Sequence, residues 1–166
     1  MFIILPEHMP SMVCSDMIGM YKNNEHSANV WRDTKPLDVR NISNQEELNR
    51  SKFAIKHLNN TAVSFFGRDT YVELAEIVKW PTGSYQPYHT DDIRETTTFT
   101  SLTYLNDDFE GGETEFTSEN LIVKPKVGRT ILFDGKRFEH GVKKVTDGIR
   151  YTLALWYSSN IMNSIL

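Results

Sequence analysis

The sequence has few of the features that mark secreted, membrane-spanning or nucleic-acid-binding proteins. Its single cysteine, Cys14, cannot form an internal disulfide, so we expect a reducing compartment, the cytoplasm. No apolar run approaches the length of a membrane span, and the apolar start at residues 2–5 is too short for a signal peptide. The net charge of -4 disfavours a sequence-independent nucleic-acid binder, which needs a basic face. We therefore expect neither a membrane nor a nucleic acid as a partner. The expected oligomeric state is a monomer or a weak homodimer.

The composition that is present is that of an ordinary globular domain. Of the 166 residues, 39% are hydrophobic and 24% are charged, which is typical of soluble proteins. A chain of this length can bury one sizeable core. We predict a single domain over residues 1–166.

The first third of the chain is predicted to be mainly helical. A short buried strand at residues 2–5 precedes a helix that runs from about Ser15, its N-cap, to Tyr21. A second helix is predicted from the capping box Ser43-Asn44-Gln45-Glu46, and Gly67 is placed to end it. Apolar residues recur between them at helical spacing. We interpret this second helix as scaffold that covers one face of a sheet.

After Gly67 the apolar residues alternate as they do in β-strands. Each predicted strand is short, and turns rich in glycine, proline, asparagine or aspartate separate several of them. Many short strands after early helices indicate a mainly β protein of the α+β class, a sandwich or barrel with helices packed on one side. The predicted strands cover residues 71–80, 85–91, 96–105, 113–116, 121–123, 130–133, 141–145 and 150–157.

A candidate metal site begins at Tyr88-His89-Thr90-Asp91. If this stretch is extended, His89 and Asp91 project from the same face. His140, at the start of a later strand, is the candidate third ligand. Two histidines and one carboxylate form the facial triad of non-haem Fe(II) oxygenases, which leaves coordination positions open. His-x-Asp alone is a weak motif, because the chain has five histidines, and a solvated turn is the alternative.

The last predicted strand carries a second candidate group, Arg150. It shares one strand face with Thr152, Ala154 and Trp156, whereas the opposite face is larger and more apolar. A guanidinium inside a strand is costly unless a carboxylate pairs with it. Arginine binds carboxylates through a planar, bidentate fork. The sequence therefore offers a metal site with open positions and a carboxylate receptor one strand away.

These motifs together resemble the 2-oxoglutarate- and iron(II)-dependent dioxygenases, and specifically their prolyl 4-hydroxylase-like branch. The resemblance covers about residues 71–157 well and the N-terminal third loosely. The ordered set of motifs carries it, since each motif alone is weak. In chain order they are Trp80-x-x-Gly83, His89-x-Asp91, Thr103-Tyr104-Leu105-Asn106, Phe109-Glu110-Gly111-Gly112-Glu113-Thr114, Pro125-x-x-Gly128, His140-Gly141-Val142 and Gly148-x-Arg150-Tyr151.

The resemblance implies a double-stranded β-helix, or jelly roll, over about residues 71–157. The helical support, about residues 1–67, would pack on one of its sheets. Iron(II) would be held by His89, Asp91 and His140, which would make these three residues the catalytic metal ligands.

The resemblance also implies 2-oxoglutarate as cosubstrate. Its distal carboxylate would pair with Arg150 and accept a hydrogen bond from Tyr104, and Thr152 could add a hydroxyl. The implied reaction consumes dioxygen, releases succinate and carbon dioxide, and hydroxylates an unactivated C–H bond. Ascorbate is a candidate reductant.

The leading hypothesis for the substrate is a prolyl residue in a peptide or protein. Residues 92–97, with part of residues 22–44, are the candidate substrate loop. Collagen-type prolyl hydroxylases usually have lysine where this chain has Arg150, so the subtype stays open. The nucleic-acid demethylase relatives carry a second arginine six residues later, where this chain has Trp156. Two alternatives remain: the same chemistry on a free amino acid, small metabolite or nucleobase, and a non-catalytic jelly-roll module that binds a metal or another ligand.

Overall fold

The structure, a computed structural model, describes all 166 residues and is built mainly from antiparallel strands. Its two α-helices both lie in the first 66 residues, as the sequence predicts. Neither helix combines the length and the apolar content that crossing a lipid bilayer requires. The elements are β1 (Phe2–Leu5), α1 (Ser11–Asn24), β2 (Lys35–Asp38), α2 (Gln45–Phe66), β3 (Tyr71–Pro81), β4 (Gln86–His89), β5 (Thr97–Tyr104), β6 (Glu110–Gly111), β7 (Thr114–Phe116), β8 (Leu121–Val123), β9 (Thr130–Phe133), β10 (His140–Val142), β11 (Val145–Asp147) and β12 (Ile149–Ser158).

Two sheets face each other and form the jelly roll that the resemblance implies. The large sheet has the strand order β1-β9-β5-β12-β3-β2, and the small sheet has the order β4-β10-β7-β8. A third ladder joins β11 to β6. An aromatic-rich cluster fills the space between the two main sheets at one end of the sandwich, and its members are Tyr104, Phe116, Val123, Ile131, Phe133 and Phe138. The mainly β class with flanking helices is confirmed.

Both helices pack against the outer face of the large sheet. The largest buried cluster joins side chains of α1 and α2 to those of β3 and β12. Strand alternation in β12 places Leu153 and Leu155 in this cluster, while Thr152 and Ala154 turn toward the small sheet and line a cavity there. Strand β12 therefore has one face in the apolar core and one face toward the cavity.

The helix starts differ from the sequence predictions in an instructive way. Helix α1 begins at Ser11 with Pro10 as its N-cap, so the predicted start at Ser15 is wrong. Proline has no N–H to leave unsatisfied, which suits it to a helix start. Helix α2 is capped by Asn44, whose side chain accepts the N–H groups of Glu46 and Glu47, so the predicted capping box that starts at Ser43 is wrong by one residue. It ends, as predicted, at a left-handed Gly67 with φ 66°.

Two predicted strands also change their extent. The predicted strand over residues 85–91 ends at His89, so Asp91 lies in the segment that follows β4. The predicted strand over residues 141–145 is divided between β10 and β11, because β10 pairs with β4 and β7 whereas β11 pairs with β6. The strand β6 at Glu110–Gly111 was not predicted from the sequence, because it is only two residues long.

The N-cap of α2 gives a direct test of this assignment. Replacing Asn44 by alanine should lower the free energy of unfolding by about 1 kcal/mol, because the two N–H groups lose their acceptor. Urea unfolding followed by circular dichroism measures the change. Lys52→Ala, at an exposed position in the same helix, is the matched control and should change stability by less than about 0.5 kcal/mol. Equal effects of the two substitutions would contradict the assignment.

Candidate metal centre and its cavity

The three predicted ligand side chains lie together between the two sheets. One ligand atom from each of His89, Asp91 and His140 falls within 4.8 Å of the others. The Nε2 atom of His89 is 3.5 Å from Asp91 Oδ1, and Nε2 of His140 is 3.7 Å from Asp91 Oδ2. This set of two imidazole nitrogens and one carboxylate oxygen could hold a metal ion, and it matches the set that binds non-haem iron.

Backbone pairing brings the two imidazoles together. In the antiparallel pair of β4 and β10, His89 lies directly opposite His140, and their ring centroids are 4.4 Å apart. Each Nδ1 is 3.0 Å from a carbonyl oxygen two residues earlier, that of Pro87 or Phe138. A proton on Nδ1 that donates to this carbonyl leaves the lone pair of Nε2 free to bind a metal ion.

Asp91 is held by the large sheet, although it lies outside β4. Its N–H donates to the carbonyl of Gly135 at 2.9 Å, and Thr100 Oγ1 on β5 donates to its Oδ2 at 2.7 Å. A Cβ added at Gly135 would lie 2.6 Å from Thr100 Oγ1 and 2.8 Å from Asp91 Cβ, so only glycine allows this approach. Thr100 and Gly135 are supporting residues that the sequence analysis missed.

The electrostatics of Asp91 and His140 suit metal binding, whereas the raised pKa of His89 favours a protonated imidazole, whose proton a metal ion must displace. Burial lowers the pKa of the His140 imidazole, which favours the neutral form that a metal ion needs. Burial alone would raise the pKa of the Asp91 carboxyl, but hydrogen bonds from His89 and Thr100 and the nearby His140 hold it below its usual range. Burial opposes protonation of His89 as well, yet its hydrogen bond to Asp91 raises its pKa. Asp91 is therefore ready as an ionised ligand.

Arg150 is a fully buried cation without an anion. None of the chain's carboxylates lies within ion-pair distance of it, and its Nε and Nη1 have no hydrogen-bond partner. Nη2 donates a long hydrogen bond of 3.4 Å to Thr114 Oγ1, and the guanidinium carbon lies 4.6 Å from the Trp80 ring centre and 5.3 Å from that of Tyr104. Burial lowers the pKa of Arg150, but a guanidinium stays charged in proteins. Such a group requires an external anion.

Of the other two predicted cosubstrate contacts, Tyr104 lies beside this guanidinium, and Thr152 contacts the Trp80 side chain that packs on it. The Tyr104 hydroxyl lies 2.7 Å from Thr114 Oγ1 and 3.1 Å from the Val123 carbonyl oxygen. The Thr152 hydroxyl accepts a hydrogen bond from Trp80 Nε1 at 3.2 Å. Thr114, which contacts both Arg150 and Tyr104, was not singled out from the sequence. Its position as the last residue of the Gly-Gly-Glu-Thr motif was the available signal.

A cavity of about 540 Å³ connects the three candidate ligands to the surroundings of Arg150. Trp80, Thr114 and Thr152 form its wall on the Arg150 side, and Arg150 itself lies behind them. A carboxylate that pairs with Arg150 would have to enter between these side chains. The candidate substrate segments also reach this cavity, through Asn29, Val30, Trp31, Thr34 and Pro36 from the first and Asp92 and Ile93 from the second.

The second of these segments is tied to the large sheet by a buried carboxylate. Glu73 on β3 accepts a hydrogen bond from Thr97 Oγ1 and lies 3.8 Å from Arg94 Nη1. The Arg94 N–H in turn donates to Thr97 Oγ1 at 3.1 Å. The base of residues 92–97 is thereby fixed, while Ile93 is exposed at the cavity mouth.

Known proteins resemble this chain in sequence over part of its length. Human prolyl 3-hydroxylase 2 is 47% identical over 66 residues, and human prolyl 3-hydroxylase 3 is 44% identical over 66 residues. Each match covers 36% of this chain but only 9% of the relative. The matched segment is thus a small part of these longer proteins.

Solved structures match nearly the whole chain in fold. A Pseudomonas putida prolyl-4-hydroxylase has a TM-score of 0.78 at 16% identity, covering 96% of this chain and 92% of that one. A Trichoplax adhaerens prolyl hydroxylase, solved with a peptide fragment of the hypoxia inducible factor oxygen degradation domain, has a TM-score of 0.79 at 20% identity, covering 95% and 83%. At such identities the likeness shows the shared jelly-roll fold alone.

The family assignment comes from the sequence model of the 2OG-Fe(II) oxygenase superfamily. It matches residues 75–158. This range runs from β3 to the end of β12, and it contains the three candidate ligands, Arg150 and both supporting residues of Asp91. Since the match spans half of the sequence and includes the whole candidate centre, the chain belongs to the 2OG-Fe(II) oxygenase superfamily.

Proposed function

We propose that the protein is an Fe(II)- and 2-oxoglutarate-dependent dioxygenase that hydroxylates a prolyl residue in a peptide or protein. The reaction would consume dioxygen, with one oxygen atom entering the new hydroxyl and the other entering succinate, and would release carbon dioxide. The observation that carries the proposal is one cavity that joins a His-Asp-His cluster to the wall around an unpaired buried guanidinium.

Iron(II) would be held by His89, Asp91 and His140. The donor set fits this ion, because it combines two neutral nitrogens with one carboxylate and leaves further positions open. Bound iron, together with 2-oxoglutarate, would supply the dioxygen activation that hydroxylation of a C–H bond requires. The chain's own part is to fix the ligands, through Thr100, Gly135 and the two carbonyls that accept from Nδ1.

2-Oxoglutarate would be oriented by Arg150. A bidentate pair with its distal carboxylate would engage Nη2 together with one of the two nitrogens that lack partners, and it would neutralise the buried charge. Tyr104 and Thr152 would add hydroxyl contacts, and Thr114 would give up its long bond to Arg150 in exchange for the carboxylate. The Trp80 ring holds the guanidinium plane from one side.

The remainder of the cavity would receive the substrate. Its wall includes the apolar side chains Leu74, Val78, Leu102 and Ala154, which exclude water from the reacting carbon. The names of the sequence relatives, prolyl 3-hydroxylases, and of the structural neighbours, prolyl 4-hydroxylases, support a prolyl substrate. The two names specify different carbons of the proline ring, C3 and C4, so product analysis must determine which carbon this protein hydroxylates.

The first prediction concerns metal binding. His140→Ala should weaken binding of Mn(II), used as a redox-stable probe for Fe(II), by more than about a hundredfold, since loss of even an outer-shell partner costs about 10–100-fold. Isothermal titration calorimetry measures the affinity, and succinate release measures turnover. His57→Ala, an exposed histidine on α2, is the control and should retain both. Retained metal affinity and turnover in His140→Ala would reject the proposed ligand set.

The second prediction separates the stability and the binding role of Arg150. Arg150→Met removes a buried unpaired charge, so the ligand-free variant should be more stable than the parent by about 1 kcal/mol or more. The same variant should keep the rise in melting temperature that Mn(II) alone gives, but it should lose the further rise that 2-oxoglutarate adds in the parent. Arg137→Met is the control, because Arg137 also packs on an aromatic ring but is exposed. A full 2-oxoglutarate shift in Arg150→Met would contradict the proposed carboxylate site.

The third prediction identifies the substrate class. A library of proline-containing peptides, incubated with Fe(II), 2-oxoglutarate, dioxygen and ascorbate as reductant, should yield products heavier by about 16 Da, one oxygen atom. Amino acid analysis of the products then assigns the 3- or 4-position of the ring. Oxidation of free proline or another small molecule in place of every peptide would reject a peptidyl substrate but keep the dioxygenase chemistry.

A further inference from the structure

The substrate side of the cavity carries a carboxyl group for which the protein supplies no partner. Glu76 lies in the middle of β3, between Leu74 and Val78, and all three residues line the cavity. Its side chain is half-buried. No other residue of the protein forms a hydrogen bond or an ion pair with its carboxyl. An acid in such a place is costly unless a ligand completes it.

The neighbouring acid on β2, Asp38, is ion-paired, in contrast to Glu76. Asp38 lies directly opposite Glu76 in the β2–β3 pair. Arg40 donates to both oxygens of Asp38, through Nε at 3.0 Å and Nη2 at 2.5 Å. Glu76 has no such arginine, and the residue opposite it on β12 is Ala154. Burial, and then the repulsion from Asp38, raises the pKa of the Glu76 carboxyl to about 7, although the charge of Arg40 partly opposes this rise.

The sheet register places Glu76 on the inner face of β3, one row of residues away from the row whose hydroxyl holds Asp91. Glu76 belongs to a row of paired residues across the strands with Ala154 and Leu102. The next row on the same face consists of Leu74, Trp156 and Thr100, and the Thr100 hydroxyl holds Asp91. The strands β3 and β5 lie on either side of β12, about 10 Å apart, which is two strand spacings. An extended peptide covers that distance in about three residues.

The two ends of the cavity therefore differ in charge. Trp80, the residue opposite Arg150, is four positions further along β3 than Glu76, which is about 13 Å in a strand. The dicarboxylate cosubstrate would be attracted by the guanidinium and repelled by the carboxylate. The end that contains Glu76 is thus left for a group of opposite charge.

We propose that Glu76 is a specificity-determining residue that binds a cationic nitrogen of the substrate, within about three residues of the hydroxylated carbon. The inference rests on the proposed function, because it takes the cavity as the substrate site. The nitrogen could belong to a lysine or arginine side chain, or to the free amino terminus of a short peptide. Both sources offer the same charged N–H donors to the carboxylate.

Binding experiments test this proposal without relying on turnover. The probes are prolyl peptides that differ only in a residue next to the proline, which is lysine, glutamine or glutamate, each with a free or acetylated amino terminus. Calorimetry on the protein loaded with Mn(II) and 2-oxoglutarate should show that a cationic peptide binds about tenfold or more tightly than its neutral counterpart. The lysine and amino-terminus arms distinguish the two sources of charge.

The isosteric variant Glu76→Gln should remove this preference, and Glu119→Gln, an exposed acid with no side-chain partner, should keep it. In turnover assays the loss should fall on KM for the cationic peptide and not on kcat. A preference that persists in Glu76→Gln, or neutral peptides that bind the parent as well as cationic ones, would overturn the proposal. Charge-dependent binding through Glu76 with no succinate released under any condition would reject the dioxygenase and leave the contact standing.

A stability measurement checks the premise that the carboxyl lacks a partner. The folded-state pKa of Glu76 lies above its ordinary value of 4.5, so the fold loses stability as the pH rises from about 4.5 through 7. The charged groups facing it, Asp38 and Arg40, belong to β2 and the turn after it. Glu76→Gln lacks this loss, and its melting temperature should exceed that of the parent at pH 8 but not at pH 4. No gain at pH 8 would show that the carboxyl is already compensated, which overturns the proposal.

Discussion

The antiparallel pairing of β4 with β10 is the constraint on which the rest of the site depends. It sets His89 directly opposite His140, although the two residues are 51 positions apart in the sequence. The large sheet completes the cluster, because Thr100 on β5 and Gly135 in the turn after β9 hold Asp91. The candidate centre is therefore shared by both sheets, and a slip of one residue in the β4–β10 register would turn one imidazole to the other face of the small sheet.

Uncompensated charge is the second organising feature of the interior. Arg150 is fully buried without an anion, and Glu76 is half-buried without a cation. Each lowers the stability of the ligand-free fold. Both line or adjoin the same cavity from β12 and β3, which are hydrogen-bonded neighbours. Ligands that pair with Arg150 and Glu76 would therefore raise the free energy of unfolding, because they bind only the folded state.

Much of this arrangement could be predicted from the sequence, because it rests on periodicity and motif order. Two-residue alternation in β12 separated Arg150 and Thr152 from the apolar core face. The glycine signal located the end of α2, and the capping-box signal located its start to within one residue. The ligand trio followed from His-x-Asp, a later histidine and the resemblance.

Other features depend on contacts between distant segments. Thr100 and Thr114 are ordinary strand threonines until the fold places them beside Asp91 and Arg150. Glu76 was not singled out from the sequence, because only the structure shows that it lines the cavity without a hydrogen-bond or ion-pair partner. The start of α1 at Ser11 was missed because Ser15 has the better side-chain capping chemistry, whereas Pro10 acts through its backbone.

The most direct test of the central claim is a crystal structure of the protein with Mn(II) and 2-oxoglutarate, prepared without dioxygen. The account predicts one metal ion bonded to Nε2 of His89, Nε2 of His140 and a carboxylate oxygen of Asp91, with the distal carboxylate of 2-oxoglutarate paired to Arg150. A metal ion bound elsewhere, or an Arg150 guanidinium still without an anion while 2-oxoglutarate is bound, would contradict it.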